Sequence, residues 1–345
     1  MPEQDITECG ALVISLDCEL LWGVRDLCTV DDPYRIRIIN ARRAIPAILD
    51  LFEQNEVAAT WAIVGFLFAK NRSELDKYSP KIRPMHSRNE FDPYSDSVGL
   101  GEWDNPLHYA PSLIAEIKKR DRQEIATHTF SHYYCLEHGQ TEESFAADLR
   151  SALHIARRYG VAIQAIVFPR NQHNPRYDEI LVQHEILSYR GIEVHPMYDG
   201  RRQSAIHKRL YRLVDSYINL SGSHLFSWDE VLQESGLCNV RSSRLLRPKI
   251  INSEMLERMR LKRVIDCIYE AAKSKKIFHL WWHPHNFGFK TEENIKGLEE
   301  ILIHFNKCRE HYGMLSLNMS EVTDIVRRRT GLKDFQREAM TSKNY

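Results

Sequence analysis

Short apolar runs alternate with longer stretches of helical periodicity along most of this chain. The runs at 11–17, 58–65, 124–128, 162–169, 186–190, 277–283 and 314–317 have the length of buried strands. Between them, apolar positions recur every three to four residues at 35–54, 111–121, 141–159, 177–184, 204–220, 254–275, 292–311 and 320–329. Strands separated by helices generate a parallel sheet with crossover helices. Several helix starts carry suitable chemistry: Thr141 precedes Glu142 and Glu143, Thr291 precedes Glu292 and Glu293, and Ser320 precedes Glu321. Each offers an acceptor and negative charge to unpaired first-turn amides. Gly160 and Gly313 suit helix ends. The pattern predicts an α/β fold, a distorted and incomplete TIM-like (β/α)7 barrel.

With 345 residues the chain lies in the size range of one such barrel, so a single domain over 1–345 is expected. Two segments break the alternation. Residues 70–108 are polar, aromatic and proline-containing, and their position after the second strand predicts a lid or substrate-binding loop. Residues 221–252, rich in Ser and Arg, read as a second insertion.

Four of the apolar runs end in reactive side chains. The first ends in Asp17-Cys18-Glu19, the third in His128-Thr-Phe-Ser-His132, the fourth in Phe168-Pro169-Arg170-Asn171, and the sixth in Trp281-Trp282-His283-Pro284-His285. In barrels of this kind the carboxyl ends of the strands share one ligand-binding mouth. Asp17 and Glu19 are two apart and share a strand face. His128 and His132 have a spacing at which two imidazoles converge on one metal ion, and either carboxylate can complete a set of two nitrogens and one oxygen. This spacing lacks the glutamate of H-E-x-x-H, which excludes the metalloprotease arrangement. Arg170 is a candidate to hold Asp17 ionised and oriented. His283 and His285 are the alternatives for a proton donor.

Composition narrows the partners. Lys plus Arg and Asp plus Glu both number 47, so no global field recruits nucleic acid or an anionic membrane. No apolar run reaches the roughly 18 uncharged residues of a transmembrane helix. The seven cysteines are odd in number and without a C-x-x-C pair, and the start of the sequence is acidic rather than signal-like. Both features predict a cytoplasmic protein with reduced thiols.

Taken in order, the four strand ends resemble the polysaccharide deacetylase family, also called the NodB-homology or carbohydrate esterase family 4, over about residues 11 to 329. Ser15-Leu16-Asp17-Cys18-Glu19 is similar to the family's T-F-D-D motif, with Asp17 at the base position and Glu19 supplying the metal-binding acid one step beyond Cys18. His128 and His132 match its H-x-x-x-H, Phe168-Pro-Arg170 its arginine motif, and Ile277 through His283 its last motif. The family's Asp and Trp pair has no clear counterpart around 188–191.

The resemblance implies divalent-metal-dependent removal of an acetyl group from an N-acetylated sugar, with zinc as the expected ion. Glu19, His128 and His132 would be ligands, Asp17 the base, Arg170 its partner and His283 or His285 the acid. Backbone amides near Phe130 or Ser131 would share the oxyanion. Without an export signal, nucleotide- or lipid-linked glycan precursors are the expected substrates. The alternatives are hydrolysis of a cyclic amide or ureide, and a catalytically silent carbohydrate-binding protein.

Overall fold

The structure, a computed structural model, describes residues 6–28, 32, 34–86, 88–198 and 206–332. Within them nine strands form one sheet in which every pairing is parallel. β1 (Ala11–Cys18) is central. β8 (Ile277–Trp282) runs along one of its edges, while β2 (Ala59–Ile63) pairs with Ser15 to Cys18 and β9 (Leu315–Leu317) with Ala11 to Val13. Beyond β2 lie β3 (Gln123–Thr127), β4 (Ala165–Val167), β5 (Ser188–Arg190) and β6 (Cys238–Asn239), and beyond β8 lies β7 (Arg244–Leu245).

Seven of these strands coincide with the apolar runs. β6 and β7 do not, because two-residue strands show no periodicity. They come from the 221–252 segment, which pairs with β5 on one side and β8 on the other. Between them the chain steps across the gap: the Ser242 amide donates to Gly191 O (2.9 Å) and the Ser243 amide to His279 O (2.8 Å). The result is an incomplete, distorted TIM-like barrel.

The helices are α1 (Tyr34–Gln54), α2 (Arg72–Tyr78), α3 (Pro111–Lys119), α4 (Glu142–Arg158), α5 (Asp178–Gln183), α6 (Ile206–Asp215), α7 (Glu254–Ser274), α8 (Thr291–Tyr312) and α9 (Met319–Arg329). The expected helix start at 204–205 lies outside the described residues. Thr141 caps α4 as expected, its hydroxyl accepting from the Ser144 amide at 3.1 Å. The other two caps differ: Thr291 is already inside α8, and Asn318 rather than Ser320 caps α9, accepting from the Glu321 amide at 2.9 Å. Gly313 ends α8 with φ 65°.

Strand alternation sorts the two faces of β1. Leu12, Ile14, Leu16 and Cys18 pack outward in the layer that includes Ile45 and Ile48 of α1. Ala11 and Val13 point inward to join Ala62, Ala126, Ala165, Val167 and Trp228. Small apolar side chains thus close the lower barrel, and the same inward register carries polar residues at its upper end.

Residues 70–108 hold α2 and short turns, and part of this segment is tied to the loop after β1. Arg25 donates to Asp96 Oδ2 (2.6 Å), Glu90 O (2.5 Å) and Asp92 O (2.9 Å). Phe91 sits edge-on to Tyr134 with centroids 5.4 Å apart, which brings the segment to the mouth.

Candidate active site

Ser15 and Asp17 continue the inward register of β1, and Glu19 follows just past the strand. All three are buried. Glu19 occupies space that only glycine leaves open: a Cβ built on Gly23 would lie 1.9 to 2.3 Å from the atoms of the Glu19 carboxyl group. Cys18 faces the helix layer, where burial pushes its thiol up to about 12. The residue between the two carboxylates therefore contributes no ligand.

After β3 the chain turns through left-handed backbone at Thr129 (φ 62°) and His132 (φ 55°). The Thr129 hydroxyl accepts from the Tyr133 amide (2.7 Å) and donates to His128 O (2.6 Å). From α4, the buried Asp148 accepts from the amides of Phe130 (2.7 Å) and Ser131 (3.1 Å) and from the Ser131 hydroxyl. This clamp folds the loop so that both imidazoles face Glu19. It also occupies the two amides expected to serve an oxyanion, so that expectation is corrected. Burial pushes the Asp148 carboxyl up to about 6 against these hydrogen bonds.

His132 Nε2 lies 3.0 Å and His128 Nε2 3.3 Å from Glu19 Oε2. One ligand atom from each of Glu19, His128 and His132 falls within 4.8 Å of the others, and all three residues are buried. Two imidazoles and a carboxylate are a donor set for zinc, and ligands about 2.0–2.1 Å from a tetrahedral ion stand about 3.3 Å apart. The residues fit a divalent ion. Burial lowers the His132 pKa more than Glu19 raises it, which keeps the ring in the neutral form that a ligand requires. Burial alone would raise the Glu19 pKa, but His283, His128 and His132 outweigh it and hold the carboxyl well below its ordinary value.

Asp17 has a different partner. Arg190, fully buried at the end of β5, grips it through two parallel bonds, Nη1 to Oδ1 (2.7 Å) and Nη2 to Oδ2 (2.8 Å). The guanidinium also donates to Ser15 Oγ (2.9 Å) and Asn171 Oδ1 (3.0 Å), and lies over the Trp281 ring at 4.3 Å. His279 completes the support, with Nδ1 2.8 Å from Val240 O and Nε2 2.8 Å from Ser15 Oγ. Against the burial of Asp17, the charge and bonds of Arg190 win and keep the carboxyl ionised below its ordinary pKa.

Arg190, not Arg170, therefore holds Asp17. Arg170 has left-handed backbone (φ 54°), pairs with Asp26 and lies over Tyr134 at 4.0 Å. The loop after β4 reaches Asp17 through Asn171, which accepts from Arg190. Sequence reasoning missed Arg190, although it ends the short strand-like run 186–190 (Ile-Leu-Ser-Tyr-Arg), as Asp17 ends the run 11–17.

The two terminal histidines separate. His283 Nε2 is 3.4 Å from Glu19 Oε1 and 3.8 Å from Asp17 Oδ2, with the side chain 26% exposed at the solvent side. His285 is buried beside Tyr34, 5.9 Å between ring centroids, and forms no ion pair with either carboxylate among the described residues. Burial, then the charge of His283, lowers its pKa to about 4.

The family model for polysaccharide deacetylase matches residues 27–188. That match covers a little under half of the chain. The match includes His128, His132 and Arg170, while Asp17 and Glu19 lie before it and Arg190 and His283 after it; the barrel brings the two groups together. Among solved structures, the chain is similar to a candidate polysaccharide deacetylase from Mycobacterium smegmatis, at TM-score 0.58 and 12% identity over 93% of this chain and 92% of that one. A candidate polysaccharide deacetylase from Pseudomonas aeruginosa gives 0.54 and 10% over 96% and 100%. A GH57-type branching enzyme from the archaeon Pyrococcus horikoshii gives 0.52 and 12% over 91% and 70%. At these identities the likeness is one of fold. No curated protein matches the chain.

Proposed function

We propose that this protein is a polysaccharide deacetylase family member, a divalent-metal-dependent hydrolase that removes the acetyl group from an N-acetylated sugar or glycan precursor. The observation that carries this reading is the buried Glu19, His128 and His132 group beside a carboxylate, Asp17, locked by Arg190. Glu19, His128 and His132 would hold the ion, zinc by the chemistry of the donors, which supplies a lowered water pKa and stabilisation of negative charge on the acetyl oxygen.

The remaining work falls to the chain. Asp17, kept ionised and aimed by Arg190, accepts a proton from the water that attacks the acetyl carbon. His283, facing both carboxylates from the solvent side, donates a proton to the departing nitrogen as the C–N bond breaks. Acetate and a free amine result. Trp281 and Asn171, both touching Arg190, form the wall beside this centre. All seven cysteines are free, which supports a reducing compartment such as the cytoplasm.

The test pairs metal analysis with acetate release from N-acetylated monosaccharides, oligosaccharides and glycan precursors, with cyclic amides and ureides as controls. Stoichiometric metal with acetate from at least one sugar is expected. Metal-loaded protein that hydrolyses only cyclic amides, or nothing in the panel, overturns the reading.

A further inference from the structure

Next to the centre, on the far side of Trp281 and Asn171, a recess of about 520 Å³ opens between α6, β7 and the segment after β5. Its charge is lopsided. Among the described residues, Arg209, Arg212, Arg244 and Arg247 line it, against a single carboxyl, Glu193. Glu193 is buried, and its burial raises its pKa toward the neutral form.

Arg244 is accounted for. It donates to Asp215 Oδ2 at 3.1 Å, and Asp215 also accepts from Tyr198, Ser221 and the Leu220 amide. Arg247 is not balanced in this way: no carboxylate pairs with its side chain among the described residues. Burial, then the like charges of Arg212 and Arg209, depresses its pKa against the opposing effects of Tyr198 and Tyr217. Like charges gathered around one recess, with Arg212 and Arg247 partly buried, are unfavourable unless an anion sits among them. Guanidinium groups suit phosphate, which they grip through parallel hydrogen bonds. Alongside its two arginines, α6 also contributes Leu210 and Leu213 to the lining.

We propose that this recess is a phosphate subsite, so that the substrate is an N-acetylated sugar carrying a phosphate or phosphodiester. The inference rests on the deacetylase reading for the identity of the sugar, but the subsite itself stands on the arginines. Trp281 and Asn171 line the recess and also touch Arg190, so a sugar reaching Asp17 would leave its phosphate within the arginine cluster.

Calorimetric titration with N-acetylglucosamine 1-phosphate and with N-acetylglucosamine tests the subsite without requiring turnover. The phosphate should bind at least about tenfold more tightly, and Arg247→Met and Arg209→Met should each remove about tenfold or more of that preference. Arg209 is exposed on α6, so its variant keeps the test sound if Arg247→Met fails to fold. Equal binding of the two sugars, or a preference untouched in both variants, overturns the subsite. Methyl and decyl phosphodiesters of the sugar separate a soluble substrate, bound equally as either ester, from a lipid-linked one, bound more tightly as the decyl ester. Acetate release is read in parallel. Phosphate binding through the arginines without acetate release sinks the deacetylase reading and leaves the subsite; acetate release with equal binding of both sugars does the reverse.

Discussion

The two sides of the barrel mouth treat charge in opposite ways. On the side of β1 and β3, acids meet neutral or pairable groups: Asp17 is bonded twice to Arg190, and Glu19 faces two imidazoles at 3.0 and 3.3 Å. On the side of α6 and β7, guanidinium groups outnumber acids among the described residues, and the Glu193 carboxyl is driven toward neutrality by burial. On the proposed reading the first side takes up a cation and the second an anion. Such a division would separate the group that is hydrolysed from the group by which the substrate is held.

The strongest test of the first side removes its imidazoles. A His128→Ala, His132→Ala double variant should lose essentially all bound divalent metal after dialysis, whereas wild type keeps one ion per chain. Equal metal content in the two proteins would break the assignment. Next comes the division of labour between the carboxylates. Asp17→Asn should keep the metal and lose about 10²–10⁴-fold in turnover. Glu19→Gln should instead lose metal affinity, with part of its activity restored by excess metal. Rescue of Asp17→Asn but not of Glu19→Gln would exchange the two roles.

The two arginines give the third comparison. Arg190→Met strands a buried Asp17 and should cost about 3–5 kcal/mol in urea unfolding. Arg170→Met should cost less, because that guanidinium is 28% exposed and lies off the Asp17 network. The opposite order would remove Arg190 from its place under Asp17.

The last comparison is in the pH dependence of stability. His279 is buried, and burial followed by the charge of Arg190 lowers its pKa to about 3. His108, His224 and His285 are held at about 4, burial being the main cause in each. A histidine whose folded pKa lies below its unfolded value near 6.5 contributes its full stability above that pH. The contribution is lost as pH falls from about 6.5 toward the folded value, each group adding up to about 1.4 kcal/mol per pH unit. Urea unfolding between pH 6 and 4 should therefore steepen with acid, and His279→Gln should flatten that slope by about one proton. An unchanged slope would mean that His279 is protonated in the native barrel.

Much of this was legible along the chain. Seven of the nine strands appear as apolar runs, because a parallel strand buried on both faces must be apolar almost throughout. The polar residues that end those runs, Asp17, Glu19, His128, His132 and His283, mark the mouth because the carboxyl ends of buried parallel strands open on one shared side of the barrel. Two-residue β6 and β7 were invisible, since no period can be read from two positions. Asp148 was hidden as well, because on α4 it looks like any acid in a helix rather than the clamp on the histidine loop.

The sequence by itself determined the alternation of strand and helix, the inward register of Asp17 and the chemistry available at each strand end, all of which follow from local periodicity. Only the tertiary structure decided who partners whom. The fork on Asp17 comes from Arg190, 173 positions away, rather than from Arg170. The imidazole facing the carboxylates is His283 rather than His285. The physical reason is that a guanidinium or imidazole at a strand end can pair with any acid by type, and barrel curvature, helix packing and left-handed backbone at His132 and Arg170 select which acids come within reach of its atoms.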